Sequence, residues 1–218
     1  MTSRIKILGT EPATMCESPM PLADSLRWNS LREAAVNVQV EIFFAQSAYA
    51  KCVAHTKSEM ESEVGGALIG KVCLDPETEQ QYILIQDIIP ALYTKAGQTH
   101  VTFTHDTLVS LNTELEDNYP DKRIVGWYHT HPRLGVFMSS YDTWLHNHFF
   151  HDSTQVALVV DPYHEQGGFF CWQANGELDP MNYTGFYEWS DVNDESIVEW
   201  SNLSPVLDGA ELEIEALA

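Results

Sequence analysis

Lysine and arginine run out early in this chain of 218 residues: the last of the 11 is Arg133, and from Leu134 to Ala218 there are fifteen Asp or Glu and no Lys or Arg. With 32 acidic residues in all, the formal charge is −21. A chain of that sign repels phosphate backbones and anionic lipid, which argues against nucleic acid as a partner and against a membrane surface. The same field would draw in a basic substrate or partner, and general solubility accounts for it equally well. No segment approaches the roughly 18 uninterrupted apolar residues of a membrane span. The start, MTSRIKILGTEP, has no sustained apolar stretch with a cleavage site, so secretion is not indicated and the cytoplasm is the expected location. Cysteine is scarce: Cys16, Cys52, Cys73 and Cys171 form no C-x-x-C pair and no disulfide-framework spacing, so buried reduced thiols are expected. There is no internal repeat and no low-complexity tract.

What is present is enough apolar material, 44% of residues, to bury a full core, and one domain with terminal extensions is expected. Residues Met1 to Ser30, with Pro12, Pro19 and Pro21, lack periodicity and read as a loose arm. Val36, Val38, Val40 and Ile42 alternate as a strand would. Ala45, Ala48, Tyr49, Cys52 and Val53 recur at helical spacing. Two strand-like runs, ALIGKVCL from Ala67 and YILIQDII from Tyr82, are joined by a turn at Asp75 and Pro76. Leu108, Leu111 and Leu115 line a helix over Asp106 to Asn118 that Pro120 stops. After Ser139 come a helix to about Phe150, a strand over Gln155 to Asp161, a turn with Gly167 and Gly168, and a strand over Phe169 to Gln173. The pattern by itself gives α/β or α+β, with strand order unreadable.

One stretch names a chemistry. GWYHTHPRLGVFMSSYD, Gly126 to Asp142, places His129 and His131 two apart, so that an extended strand presents both imidazoles on one face. Ser139 and Asp142 are three apart, which on a helix beginning near Ser139 puts hydroxyl and carboxylate one turn apart on the same face. Two neutral imidazoles and a carboxylate suit Zn²⁺ with a fourth position open, the arrangement of a catalytic site. Ser139 and Asp142 also satisfy an ordinary S-x-x-D helix start, a reading that leaves the histidines unexplained. His146, His148 and His151 do not make a second site: 146 and 148 point to different helix faces, and no acid or thiol completes a set.

The spacing H-x-H-P-x6-S-x-x-D resembles the signature of the JAMM (MPN-plus) metallopeptidases. Glu63 to Gly70, EVGGALIG, is similar to that family's E-x-x-G-x-x-x-G segment, and Gln155 to Pro162, QVALVVDP, to the strand that follows its metal helix. The resemblance covers roughly Val36 to Trp189. It implies an α/β sandwich with a curved mixed sheet flanked by helices, one Zn²⁺ per chain on His129, His131 and Asp142, and an isopeptidase that cleaves after the tail of a ubiquitin or ubiquitin-like protein, with a possible activating protein partner. Glu63 would take a proton from water and hand it to the leaving amine, while Ser139 would donate a hydrogen bond to the oxyanion. Only Glu63, among the clustered Glu59, Glu61 and Glu63, has the right offset to the glycines. Trp127 and Tyr128 read as core or as supports of the site. Processing of a ubiquitin-like or sulfur-carrier precursor would use the same residues, and a metal-free MPN scaffold would bind partners without chemistry. A zinc deaminase would need H-x-E with P-C-x-x-C, and neither occurs. The expected boundaries are an N-terminal extension over 1–35, the metallopeptidase domain over 36–190, and an acidic C-terminal extension over 191–218. The stretches 91–100 and 174–190 fall where the family carries its two insertions beside the substrate groove. The structural zinc that one branch adds to the second insertion is not expected, because no His follows His164 and no Cys follows Cys171.

Overall fold

The apolar runs become strands of one sheet. A computed structural model describes residues 15–32, 38–91 and 103–207. In chain order these form β1 (Cys16–Glu17), β2 (Ser25–Ser30), β3 (Glu41–Ala45), α1 (Gln46–Lys57), β4 (Gly65–Leu74), β5 (Gln81–Pro90), α2 (His105–Asn118), β6 (Arg123–Thr130), α3 (Ser140–Phe149), β7 (Val156–Asp161), β8 (Gln166–Phe170), β9 (Phe186–Trp189) and β10 (Leu203–Pro205). The strand order is β10-β2-β9-β3-β5-β4-β6-β7-β8, with β1 beside the far end of β4. β6 and β7 run parallel, as do β3 with β5 and with β9, whereas β4 is antiparallel to both β5 and β6. The sheet curls until its last strand nearly meets the other edge: Phe169 of β8 bridges to Thr184, and the Asn202 side chain bonds both backbone groups of Gly167 at 3.0 Å. This is the curved, mixed α/β sheet with helices that the sequence leads one to expect, although Val36 and most of 91–100 lie outside the described residues.

Helix ends follow local chemistry. Thr104 caps α2, its hydroxyl accepting from the Thr107 N–H at 3.1 Å, and Leu108, Leu111 and Leu115 turn inward before Tyr119 and Pro120 end the helix. α1 buries Ala48, Tyr49 and Cys52 against β3 and β5. Because strand side chains alternate, Ile42 and Phe44 enter the main core while Phe43 enters a smaller one with Tyr82 and Cys73 on the opposite face.

That second core is where the structure departs from the sequence reading. Cys16 and Cys73 are joined in a disulfide, with Cα atoms 4.4 Å apart in the β1–β4 pair, so only Cys52 and Cys171 remain as the buried thiols expected of all four. The pairing was hidden because it closes across 57 residues, between a strand and a segment with no periodicity of its own. The Asp75 carboxylate adds a second tie, accepting from the Met20 N–H at 2.8 Å as well as from Glu77 and Thr78 in its own turn. Residues 25–30 and 203–205, read from the sequence as parts of the two extensions, are the adjacent strands β2 and β10. A buried carboxylate on β9 gathers the C-terminal stretch: Glu188 accepts from Trp28, Gln46, Ser196 and the Ile197 N–H. Gly167 and Gly168, expected in a turn, lie inside β8, because the rings of Trp200 and Tyr183 press on them where a Cβ would stand, 2.5 Å from ring carbons.

Candidate metal centre

The site forms where β6 ends. His129 is the penultimate residue of β6 and His131 the first beyond it; the His131 N–H is held by the Val160 carbonyl of β7 at 2.8 Å. Thr130, between them, faces the other way and binds the chain that enters β4: its N–H donates to Val64 O at 2.9 Å, and its hydroxyl accepts from the Val64 N–H at 2.9 Å. That stitch sets Glu63 beside His131, with Oε1 4.0 Å from His131 Nε2 and the Glu63 side chain only 9% exposed. Gly66 and Gly70 let β4 approach β5 closely, since a side chain at either would run into the Ile89 or Leu84 carbonyl. Glu61 is spent elsewhere, in an exposed two-point ion pair with Arg133 at 2.9 and 3.1 Å, and the Glu59 carboxylate holds the N–H groups of Glu61 and Ser62.

α3 brings the third group. Ser139 and Asp142 form a capping box: the Ser139 hydroxyl accepts from the Asp142 N–H at 3.2 Å, and Asp142 Oδ2 accepts from the Ser139 N–H at 2.7 Å. The helix-start reading and the site reading are therefore both realised, and the first serves the second by fixing Oδ2. That oxygen lies 3.4 Å from His129 Nε2 and 3.4 Å from His131 Nε2, and the two nitrogens are 3.1 Å apart. All three residues are buried. A hydroxyl has one proton and two lone pairs, so Ser139, capping as an acceptor, keeps its proton for another partner.

Three lone-pair atoms in a triangle of this size fit a tetrahedral ion, whose ligands about 2.0–2.1 Å from the centre stand roughly 3.3 Å from one another. Burial drives His129 below the usual imidazole range against the pull of Asp142. Burial also works against the Asp142 charge, but the imidazoles and the hydrogen bond from Ser139 outweigh it and hold the carboxyl well below its ordinary range. Neutral imidazole and ionised carboxylate are the protonation states a metal requires. Among the described residues this is the only group of three such side chains that could hold a metal. His146 is buried and His148 exposed with Nδ1 2.7 Å from the Trp144 carbonyl, so no second cluster forms there.

The sequence reading passed over Asp161. Its fully buried carboxylate, at the end of β7, accepts from the N–H groups of Arg133 and Gly135 at 3.0 and 2.8 Å and from His164 Nδ1 at 2.7 Å, so it shapes the loop between His131 and Ser139. The only signal was an acid closing an apolar strand before Pro162. The Met138 N–H donates to the Pro180 carbonyl at 2.8 Å, which brings the 174–190 stretch to the same loop. Tyr183 and Phe186 of that stretch are core residues. Residues 92–100, the other expected border of the groove, lie outside the described residues.

Among known proteins, subunit 5 of the COP9 signalosome complex from Debaryomyces hansenii is 30% identical over 125 residues, 55% of this chain and 25% of its own length. The 26S proteasome regulatory subunit RPN11 of Eremothecium gossypii is 24% identical over 63% of this chain and 45% of its own. The deubiquitinase BRCC36 of Xenopus tropicalis is 30% identical over 50% and 39%. The match thus spans less than half the length of each of these relatives. The model of the family described as JAB1/Mov34/MPN/PAD-1 ubiquitin protease matches residues 37–155, a range that contains Glu63, both histidines, Ser139 and Asp142. With more than half of its residues matched and its buried histidines and aspartate converging, the chain belongs to that family.

Proposed function

We propose that this protein is a zinc-dependent isopeptidase that cleaves after the C-terminal tail of a ubiquitin or ubiquitin-like protein. The observation that carries the reading is the convergence of His129, His131 and Asp142 within 3.4 Å of one another, with the Glu63 carboxylate 4.0 Å from His131. His129, His131 and Asp142 would hold Zn²⁺, which supplies Lewis acidity toward water and the scissile carbonyl. Glu63, tethered through Val64 to Thr130, accepts the proton of the attacking water and returns it to the leaving nitrogen. The Ser139 hydroxyl donates to the oxygen that becomes negative at the carbonyl. The acidic surface favours a basic partner, and the names of two relatives place them in larger complexes, which supports a requirement for an activating protein. A cytoplasmic setting fits such a substrate.

Elemental analysis of protein purified without chelator should find one zinc per chain, and Asp142→Asn, which removes the anionic ligand, should lose most of it. A ubiquitin conjugate should be cleaved by the native chain and not by that variant. Full zinc with no cleavage of either a conjugate or a linear fusion would leave a metal-bearing scaffold; absence of zinc would leave the metal-free one.

A further inference from the structure

A histidine that ligates a metal commonly has its ring plane fixed by a hydrogen bond from its other nitrogen to a carboxylate, carbonyl or water. No described protein group does this here: Nδ1 of His129 and Nδ1 of His131 are both buried and meet no hydrogen-bond partner among the described residues. Trp127 lies two residues before His129 on the same face of β6, and its indole stacks on the His129 ring, centroids 4.6 Å apart and planes 11° from parallel. The indole is itself fixed. Its N–H donates to Nδ1 of His146 on α3 at 3.0 Å, and Phe150 and Phe103 close around it with ring centroids at 5.8 Å. His146 is fully buried and tilts against Trp172 at 5.2 Å. An indole N–H can only donate, so Nδ1 of His146 must be the bare nitrogen and Nε2 must carry the proton. Burial lowers the His146 pKa to about 3, which keeps the ring in that neutral form.

We infer that Trp127, tethered by His146, is a positioning residue that sets the plane of the His129 ring by stacking on it. Trp127 has this role only if His129 is a metal ligand, as proposed above. The chain of contacts runs from α3 through Trp127 to His129, so the helix that supplies Asp142 also aims one of the two imidazoles. Two groups of the centre are thereby registered to a single rigid element, and a shift of α3 would move both.

The test reads metal and not turnover. Zn²⁺ affinity of the metal-stripped full chain is measured by competition with a chromophoric chelator, and Co²⁺ is titrated as a second probe whose visible absorption reports ligand geometry. His146→Leu, which leaves the indole N–H without an acceptor, should weaken Zn²⁺ binding about 10-fold or more and alter the Co²⁺ bands. His146→Asn, whose Oδ1 stands where Nδ1 stood, should restore both to near the native values. A purely structural role would not produce that rescue in the Co²⁺ spectrum. Native-like Zn²⁺ affinity and Co²⁺ bands in His146→Leu would overturn the role of Trp127. Should His146→Leu not fold, Trp127→Phe keeps a ring on His129 and removes the tether; unchanged Zn²⁺ affinity and Co²⁺ bands in that variant overturn it as well. If the native chain itself takes up no Zn²⁺, the metal centre falls and the role of Trp127 falls with it, a result distinct from native uptake with an indifferent His146→Leu.

Discussion

β4 runs between two ends of the molecule that are built in opposite ways. At its start, Gly65 pairs with His129, and apart from Glu63 the groups that meet there come from fourteen consecutive residues, His129 to Asp142. At its finish, Cys73 pairs with Cys16, and the small core around them draws on Phe43, Tyr82 and Tyr187, far apart in the chain. The first end is assembled from local rules, strand alternation and a capping box, and binds charged and polar groups at fixed distances. The second is assembled by topology, and its stability comes from a cross-link and from stacked rings such as Phe43 on Tyr187 at 4.8 Å. A molecule built this way should let chemistry and stability be perturbed separately.

The largest expected effect is at the first end. Glu63→Gln keeps volume but cannot accept the proton, so cleavage of a ubiquitin conjugate should fall by ~10²- to 10⁴-fold with zinc content unchanged. Loss of zinc in that variant would mean that the carboxylate is part of the metal site, and unimpaired turnover would mean that it is not the base.

At the second end, Cys16→Ser removes a cross-link that spans 57 residues. On the loop-closure estimate it should lower the free energy of unfolding by about 4 kcal/mol, read from urea titrations without reductant. Zinc content should not change. A loss of metal there would show that the two ends are coupled along β4. Gly167→Ala should cost less: the new Cβ meets the Trp200 ring, and a loss of roughly 2 kcal/mol is expected as the ring is displaced from β8. No measurable loss would show that the C-terminal stretch yields without cost.

The smallest effect concerns the acidic segment with Asp208, Glu211, Glu213 and Glu215, which lies outside the described residues. Cleavage at limiting substrate should slow as salt rises, because the Debye length shrinks from ~30 Å at 0.01 M to ~8 Å at 0.15 M. Ending the chain after Leu207, so that Asn202 and Leu203 stay in place, should flatten part of that dependence. An unchanged salt profile would assign the segment to solubility.

Helices were legible where a stripe and a stop coincide, as in Leu108, Leu111 and Leu115 before Pro120. β4, β5 and β7 were legible as apolar runs between turns. β2 and β10 were not, because both are short, SLRWNS with only Leu26 and Trp28 to alternate and LSP with Leu203 alone; they are strands because β2 pairs with β9, β10 pairs with β2, and Trp28 and Leu203 are buried in the main core. Gly167 and Gly168 misled, since glycine marks a turn by its freedom and a close ring contact by its lack of a side chain, and only the position of Trp200 and Tyr183 tells which.

What the amino-acid order determined by itself is the local geometry of the centre: two imidazoles on one strand face and a carboxylate fixed by its own helix cap, because periods of two and of a helical turn are properties of the backbone. What only the tertiary structure decided is which distant groups serve it. Glu63 reaches His131 because β4 pairs with β6, Asp161 shapes the loop because β7 lies alongside, and His146 meets Trp127 because α3 packs on that strand. Those contacts depend on strand order and on how the sheet curls, and neither is encoded within reach of any single motif.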